Sequence, residues 1–168
     1  MDPQVYELLD TALKIGLGAV IAVAGTHWLE KLKQAEERSR EMRRFRRDRI
    51  VDPVLAFVDD NLACVSGYYW WNTDRITSDT KAEPGTPEGF HEKLTHLWHQ
   101  EGTAQARVES LGDPDLLAEF KALTFKVGSV RAAMKREGFG GAHDEFKETM
   151  AIGGRVIARL LAYATPER

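Results

Sequence analysis

The 168-residue sequence has a single cysteine, Cys64, and no large excess of either charge. One cysteine excludes an intramolecular disulfide framework and a zinc site built from several cysteines. The chain has 23 Lys and Arg against 26 Asp and Glu, a formal net charge of −3, which excludes a uniformly basic nucleic-acid-binding protein. Hydrophobic residues make up 43% of the sequence, which is not typical of a disordered or collagen-like chain.

The sequence also has no recognisable catalytic motif. His91 and His96 are one residue too far apart for the HExxH pattern of metalloproteases. Glu92, His96 and His99 recur at helical spacing, but opposite the apolar stripe of their helix, so we interpret them as a solvated face rather than metal ligands. The glycines between residues 138 and 141 lack the Lys-Ser/Thr that follows a phosphate loop. We therefore predict no enzyme activity, no metal and no cofactor.

One long apolar segment, Thr11–Leu29, dominates the first part of the chain. Its centre, Ile15–Gly25, has no polar side chain. As a helix the segment is about 28 Å long, close to the ~30 Å hydrocarbon core of a bilayer. We predict a transmembrane helix. The alternatives are a buried core helix and a cleaved signal peptide, and the acidic residues near the start of the chain argue against the signal peptide.

A basic flank follows this segment. It consists of nine Lys and Arg residues: Lys31, Lys33, Arg38, Arg40, Arg43, Arg44, Arg46, Arg47 and Arg49. Because such an excess marks the cytoplasmic side, we predict a single-pass cell-membrane protein with its N-terminus outside and its C-terminus in the cytoplasm. The predicted regions are an extracytoplasmic tail (1–10), the transmembrane helix (11–29), a basic helical stalk (30–51) and a cytoplasmic bundle (52–168).

The basic flank allows three interpretations. It can bind anionic lipid if the stalk lies on the membrane. Nucleic acid is not an expected partner, because no aromatic residues are interleaved to stack on bases. We favour an ion-pair network, in which a turn at Asp52 folds the next helix back on the stalk and brings Asp59 and Asp60 beside Arg44–Arg47.

Small and aromatic residues supply further candidate contacts. Gly18, Ala22 and Thr26 recur every four residues, a spacing that lets two membrane helices approach closely. Candidate interfacial aromatics are Tyr6, Trp28, Tyr68, Tyr69, Trp70 and Trp71. The last four are consecutive and face different directions on a helix, so they cannot all be core. One interpretation places them at the membrane headgroups, and an equally favoured one places them at a ligand pocket or partner surface. In both interpretations Tyr69 packs in the core.

The rest of the chain has the apolar periodicity of helices, and no sustained alternation indicates a strand. The predicted inward-facing residues are Val54, Val58, Leu62, Val65, Tyr69, Phe90, Leu94, Leu97, Ala104, Val108, Leu111, Leu116, Leu117, Phe120, Leu123, Val127, Val130, Met134, Phe146, Met150, Val156, Leu160 and Tyr163. We predict helices near 53–74, 88–111, 114–137 and 144–164, with a polar loop over 72–89 and a break at Gly138–Gly141. Such helices favour an all-α, up-down four-helix bundle. The stalk can add a fifth member through Leu32, Ala35, Met42 and Phe45, and Gly153-Gly154 can allow close packing.

These features predict a single-pass membrane protein whose bundle is a protein-interaction or self-assembly module. The expected partners are the lipid bilayer and either another protein or further copies of the chain. One alternative is a membrane-perturbing effector assembled through Gly18, Ala22 and Thr26. Another is a tethered enzyme or metal-binding domain that uses His91, His96, His99 or the loop after Asn72.

Overall fold

The computed structural model describes the backbone of residues 3–79, 81 and 85–164, and the side chains of residues 25–79, 81, 85–137 and 140–164. Its α-helices are α1 (Pro3–Arg46), α2 (Asp52–Ser78), α3 (Phe90–Glu109) and α4 (Pro114–Ala164), and a π-helix spans Arg47–Val51. No strand occurs in these ranges, so the all-helical prediction is confirmed. The chain divides into two compact units, residues 1–44 and 45–168.

Helix α4 reverses direction although its backbone is helical from Pro114 to Ala164. The Tyr163 hydroxyl donates to Asp113 Oδ2 at 3.1 Å across a separation of 50 residues. A straight helix would place residues so far apart in sequence about 75 Å from each other. Lys126 Nζ likewise lies 2.9 Å from Glu145 Oε2. Helix α4 is therefore a helical hairpin, with a first arm over residues 114–136 and a second arm over residues 142–164.

The bend of this hairpin lies between Glu137 and Gly141. A Cβ atom on Gly141 would stand 2.6 Å from the Cβ of Glu137. In a regular helix, Cβ atoms four residues apart are separated by about 5–6 Å. The backbone is therefore sharply compressed where the sequence predicts a break, and only glycine fits at position 141. The side chains of residues 138 and 139 lie outside the described residues.

Helix α2 runs antiparallel to α3. Near the end of α2, the Tyr68 ring stacks on Phe90, at the start of α3, with 4.8 Å between the ring centroids. Near the start of α2, Phe57 lines a cleft together with Ala104, which belongs to the last turns of α3. The early part of each helix therefore lies beside the late part of the other.

Helix α2 also runs antiparallel to the second arm of α4. Tyr69 stacks on Phe146 at a centroid distance of 4.1 Å, and one to two turns earlier in α2, Leu62 packs against Gly153. Because the two arms of α4 are themselves antiparallel, the first arm runs in the same direction as α2. Helices α2 and α3 and the two arms therefore alternate in direction, as in an up-down bundle.

The predicted apolar stripes form the bundle core, with one exception. Each buried apolar side chain contributes roughly 1.5–3 kcal/mol relative to an exposed one. The predicted residues found buried are Val54, Val58, Leu62, Val65, Tyr69, Leu94, Leu97, Ala104, Val108, Leu116, Phe120, Leu123, Val127, Val130, Met134, Val156 and Leu160. Five further predicted residues are partly buried and pack against this core: Phe90, Leu111, Leu117, Phe146 and Tyr163. The exception is Met150, which is 37% exposed, whereas the neighbouring Thr149 and Ile152 are buried.

The stalk residues predicted as a fifth bundle member are exposed. Leu32, Met42 and Phe45 are 53%, 62% and 59% exposed, and Ala35 is also exposed. The apolar side chains at this spacing are therefore in contact with solvent.

The backbone is right-handed helical at Arg46, Val51 and Asp52, and the π-helix Arg47–Val51 is followed directly by α2. A proline in the first turn of α2 is compatible with this arrangement, because that position needs no N–H donor. The ion pairs expected of Asp59 and Asp60 with Arg46 and Arg47 do not form among these four described residues, and Arg47 instead lies 3.6 Å from Asp52.

Within the described residues, no helix has the length and apolar character needed to cross a membrane. The predicted transmembrane helix therefore receives no support from them. The side chains of its residues 11–24, including Gly18 and Ala22, lie outside the described residues, as does the side chain of Tyr6.

Close packing at Gly153 can be tested against its neighbour. A Cβ atom at Gly153 would lie 2.6–3.1 Å from three carbon atoms of the buried Leu62 side chain, whereas one at Gly154 would meet nothing within 4 Å. We expect Gly153→Ala to lower the free energy of unfolding by about 1–3 kcal/mol through overpacking. Gly154→Ala should raise it by about 0.5–1 kcal/mol, because alanine is the better helix former. Urea unfolding of both variants measures this, and equal effects would contradict the packing.

Candidate functional site

The consecutive aromatic residues of α2 fall into a buried pair and an exposed pair. Tyr68 and Tyr69 are 1% and 0% exposed, whereas Trp70 and Trp71 are 53% and 37% exposed. Successive helix positions point in different directions, so one turn serves both the core and the surface. The two tyrosines cannot reach membrane headgroups while the bundle is folded, and the two tryptophans remain available for contacts.

Tyr69 joins α2 to the second arm of α4. Its ring lies nearly parallel to Phe146, with an interplanar angle of 6°, and its hydroxyl shares a hydrogen bond of 2.6 Å with Nδ1 of His143. Burial raises the pKa of Tyr69, so its hydroxyl stays protonated at neutral pH. Trp70 packs edge-on against both Tyr69 and Phe146, with centroids at 5.2 and 6.1 Å. The exposed tryptophan therefore stands on a rigid aromatic base.

Tyr68 contributes mainly through its ring. Its hydroxyl is buried, and no group in the described part of the chain meets it in good hydrogen-bonding geometry, although the Arg131 guanidinium lies nearby. Burial raises the pKa of Tyr68, and the nearby Arg131 guanidinium opposes this increase. An unpaired buried hydroxyl costs roughly 1–3 kcal/mol, which the stacking on Phe90 and the apolar burial of the ring must offset.

A buried amide attaches the segment before α3 to α2. Asn72 is fully buried, and its Nδ2 donates to the Tyr68 carbonyl at 2.9 Å and to the Gly85 carbonyl at 3.3 Å. The Gly85 N–H donates back to Asn72 Oδ1 at 2.8 Å. This reciprocal pair holds Gly85 against Trp71, where a Cβ atom would lie 3.0 Å from the indole ring. The Arg75 guanidinium lies 5.2 Å from the centre of the same ring, a cation–π contact.

These contacts shape a small cleft between α2 and the start of α3, which we call the Trp71 cleft. Its volume is about 290 Å³. Its lining residues are Ala63, Cys64, Gly67, Tyr68, Trp71, Pro87, Glu88, Gly89, Phe90 and Lys93. Most of them are apolar or aromatic, and Glu88 and Lys93 are the charged residues. The volume is at the lower limit for a drug-sized ligand, so the cleft suits one or two side chains of a partner.

Cys64 is not an activated nucleophile in this cleft. Burial raises the pKa of its thiol, and the positive charge of Lys93 only partly opposes that effect. The thiol therefore remains protonated at neutral pH, whereas cysteine chemistry requires the thiolate. Cys64 acts as a small apolar wall residue.

A second cleft between α2 and α3 is larger and more polar, with a volume of about 420 Å³. Asp60, His99 and Arg107 line it above an apolar floor that includes Phe57. Asp60 and Arg107 form no ion pair with each other, although both are described by the structure and line the same cleft. The cleft can hold a small polar molecule, but no activated acid, base or nucleophile stands out in it.

The histidines form no metal centre in the described part of the chain. His91, His96 and His99 are exposed, and His96 Nε2 is hydrogen-bonded to Gln100 at 2.9 Å. No group of three or more His, Cys, Asp or Glu side chains in the described ranges is placed to hold a metal ion. Their position away from the core agrees with the periodicity of α3.

The basic flank is a fully exposed charged surface. Arg40 pairs with Glu36 at 2.5 Å within the helix, and Arg47 lies 3.6 Å from Asp52. Exposed pairs of this kind contribute only about 0.2–1 kcal/mol each. Trp28 is 68% exposed and Thr26 is also exposed.

No family model matches the sequence, and no curated protein or solved structure is significantly similar to it. The functional interpretation therefore depends on the geometry of the clefts and on the surface chemistry. The sequence alone did not identify Asn72 as the residue that holds Gly85 beside the Trp71 cleft. The sequence feature that could have identified it is its position three residues after Tyr69, which places a polar amide on the buried face of α2.

The contribution of Asn72 to the cleft can be measured through Cys64. Asn72→Ala leaves the N–H and C=O of Gly85 without their partners, so we expect a loss of about 1–3 kcal/mol in the free energy of unfolding. The cleft wall should also loosen, and Cys64 should react faster with a thiol reagent under native conditions. Thr77→Ala is the control, because its exposed hydroxyl bonds only to its own helix. Unchanged labelling in Asn72→Ala would contradict the assignment.

Proposed function

We propose that this chain is a single-pass membrane protein whose helical bundle binds a protein partner at the cytoplasmic face through the Trp71 cleft. The membrane part of the proposal is supported by sequence: an uninterrupted apolar stretch, Ile15–Gly25, is followed by the nine residues of the basic flank. The binding part is supported by the geometry of the cleft.

The observation that carries the binding proposal is a partly exposed tryptophan held rigidly at a preformed cleft. Trp71 is contacted by the Arg75 guanidinium and by the backbone at Gly85, which Asn72 holds in place. Residues that dominate protein-binding energy are enriched in Trp, Tyr and Arg. A rigid site also loses less conformational entropy on binding than a flexible one.

The lining residues indicate the chemistry of the bound segment. Aromatic and apolar walls from Tyr68, Phe90 and Pro87 favour an apolar or aromatic side chain. Lys93 adds a positive charge beside it, which favours a neighbouring acidic group, whereas Glu88 disfavours an extended acidic run. The expected ligand is therefore a short protein segment with an apolar anchor and one nearby carboxylate.

Two alternatives have weaker support. A membrane-perturbing effector depends on Gly18, Ala22 and Thr26, a small-residue motif common in membrane helices. A tethered enzyme would need an activated group, but the pKa of Cys64 is raised. The polar cleft at Asp60, His99 and Arg107 favours binding of a small molecule more than its conversion.

The membrane anchor can be tested by fractionating cells that express the full chain and washing the membranes with alkaline carbonate. We expect the protein to stay in the membrane pellet, because an apolar helix of this length is stable in the bilayer. A variant with Val20→Asp and Ala24→Asp should appear in the wash, because carboxylates are costly at the bilayer centre. Release of the unaltered chain would refute the anchor.

The role of the cleft can be tested by purifying the full chain from gently solubilised membranes with and without Trp71→Ala. We expect at least one protein to co-purify and its affinity to fall about thirtyfold in the variant, the effect of removing a strong interface residue. Trp98→Ala is the matched control, because Trp98 is 62% exposed on α3 but does not line the cleft. A partner lost equally with Trp98→Ala, or no partner at all, would count against the proposal.

A further inference from the structure

Helix α1 has an exposed apolar stripe with the spacing of a coiled coil. Trp28, Leu32 and Met42 are 68%, 53% and 62% exposed, and Ala35 and Ser39 between them are exposed as well. These five residues, which we call the α1 seam, are separated by alternating steps of four and three. At 100° per residue they lie within an arc of about 80° on one side of the helix.

The spacing assigns the seam to heptad positions. Leu32 and Ser39 occupy a positions, and Trp28, Ala35 and Met42 occupy d positions. A narrow seam of this kind suits one facing helix, whereas a helix that packs into a globular core presents a wider face. The polar Ser39 at an a position is the kind of residue that limits register and oligomer size at some loss of stability.

The exposure of α1 indicates that the seam needs a partner. Every described side chain from Gly25 to Arg44 is exposed, so this stretch buries nothing within its own unit. Helices gain most of their stability from packing an apolar face rather than from intrinsic propensity. A long helix with an uncovered heptad seam is therefore half of an interface.

The charges beside the seam favour a second copy as that partner. In a parallel, in-register pair, Lys31 at a g position faces Glu36 at an e position of the other copy, and the symmetry forms this pair twice. Glu36 is 61% exposed and, among the described side chains, pairs with Arg40 of its own helix, so it can exchange partners. One heptad further along, Arg38 at a g position faces Arg43 at an e position of the other copy. The two positive charges repel, so the favourable charge pairing ends before this point.

We propose that two copies of this chain pair through the α1 seam as a parallel, in-register coiled coil that begins at Trp28 and holds best around Lys31–Glu36. The parallel direction rests on the proposed function, because two chains with the same anchor in one membrane enter the cytoplasm in the same direction. A second copy of the chain is therefore a proposed partner, and it binds at a surface other than the Trp71 cleft.

The first test uses cysteine cross-linking of the full chain in isolated membranes. Ala35→Cys places a thiol at a d position, where the facing cysteine of an in-register partner comes within disulfide reach. We expect a disulfide-linked dimer on mild oxidation. Glu37→Cys, on the opposite side of the helix, should stay monomeric, and the unaltered chain controls for Cys64, which is buried. Absence of a dimer with Ala35→Cys, or equal cross-linking with Glu37→Cys, overturns the proposal.

The second test examines the charge pairing in the Ala35→Cys background. Glu36→Lys replaces two attractions with two repulsions and should lower the dimer association constant roughly fivefold. Adding Lys31→Glu should restore it, although the contact to Arg40 remains lost. Glu37→Lys makes the same charge change away from the seam and should have little effect. Failure of the double variant to recover overturns the parallel register.

These outcomes separate the coiled coil from the membrane proposal. A chain that carbonate releases but that still cross-links at position 35 refutes the anchor and supports the seam. A chain that stays in the pellet without cross-linking overturns the seam and leaves the anchor intact. Retention in the pellet without cross-linking is also the result expected if the seam lies on lipid or binds a different protein.

Discussion

The bundle depends on the compressed bend at Gly141. Without it, the 51 residues of α4 would form a rod, and the apolar stripes of its two arms would have no common core. The bend brings Asp113 to Tyr163 and Lys126 to Glu145, and these polar contacts align the arms. Glycine at position 141 is the condition for this reversal, because any Cβ atom would meet that of Glu137.

Helix α2 is the central element of the resulting bundle. It contacts α3 through Tyr68, the first arm of α4 through Phe57, and the second arm through Leu62 and Tyr69. One helix can serve three neighbours only if its buried face is wide, and this accounts for adjacent buried residues such as Tyr68 and Tyr69. The tryptophans that follow are then positioned by the core beneath them, which makes the cleft rigid without a bound ligand.

Most of the bundle could be predicted from sequence, because apolar periodicity reports directly which face is buried. The stripes of α2, α3 and the first arm were predicted correctly, and the glycines near residue 138 indicated the reversal. The sequence around Asp52 was less informative, because proline in a first helical turn is compatible with either a new helix or a continuing one. The backbone is helical through Arg46, Val51 and Asp52, which the proline alone could not indicate.

The candidate site was less predictable, because it depends on contacts between distant residues. The aromatic run was visible, but which members are buried follows from the neighbours of α2 and not from the run itself. Asn72 acquires its role only through Gly85, thirteen residues away across a turn. Similarly, His143 gains its contact with Tyr69 only when the second arm of α4 packs on α2.

The width of the apolar face of a helix indicates how many neighbours it packs against, which its periodicity alone does not. In α2 the buried positions cover a broad arc and include both members of adjacent pairs, such as Phe57 with Val58, as expected for a helix among several neighbours. In α1 the seam from Trp28 to Met42 covers a narrow arc, and from Leu32 onward its members are separated by charged and polar residues. The arc that contains Leu32 and Met42 is therefore suited to a single facing helix.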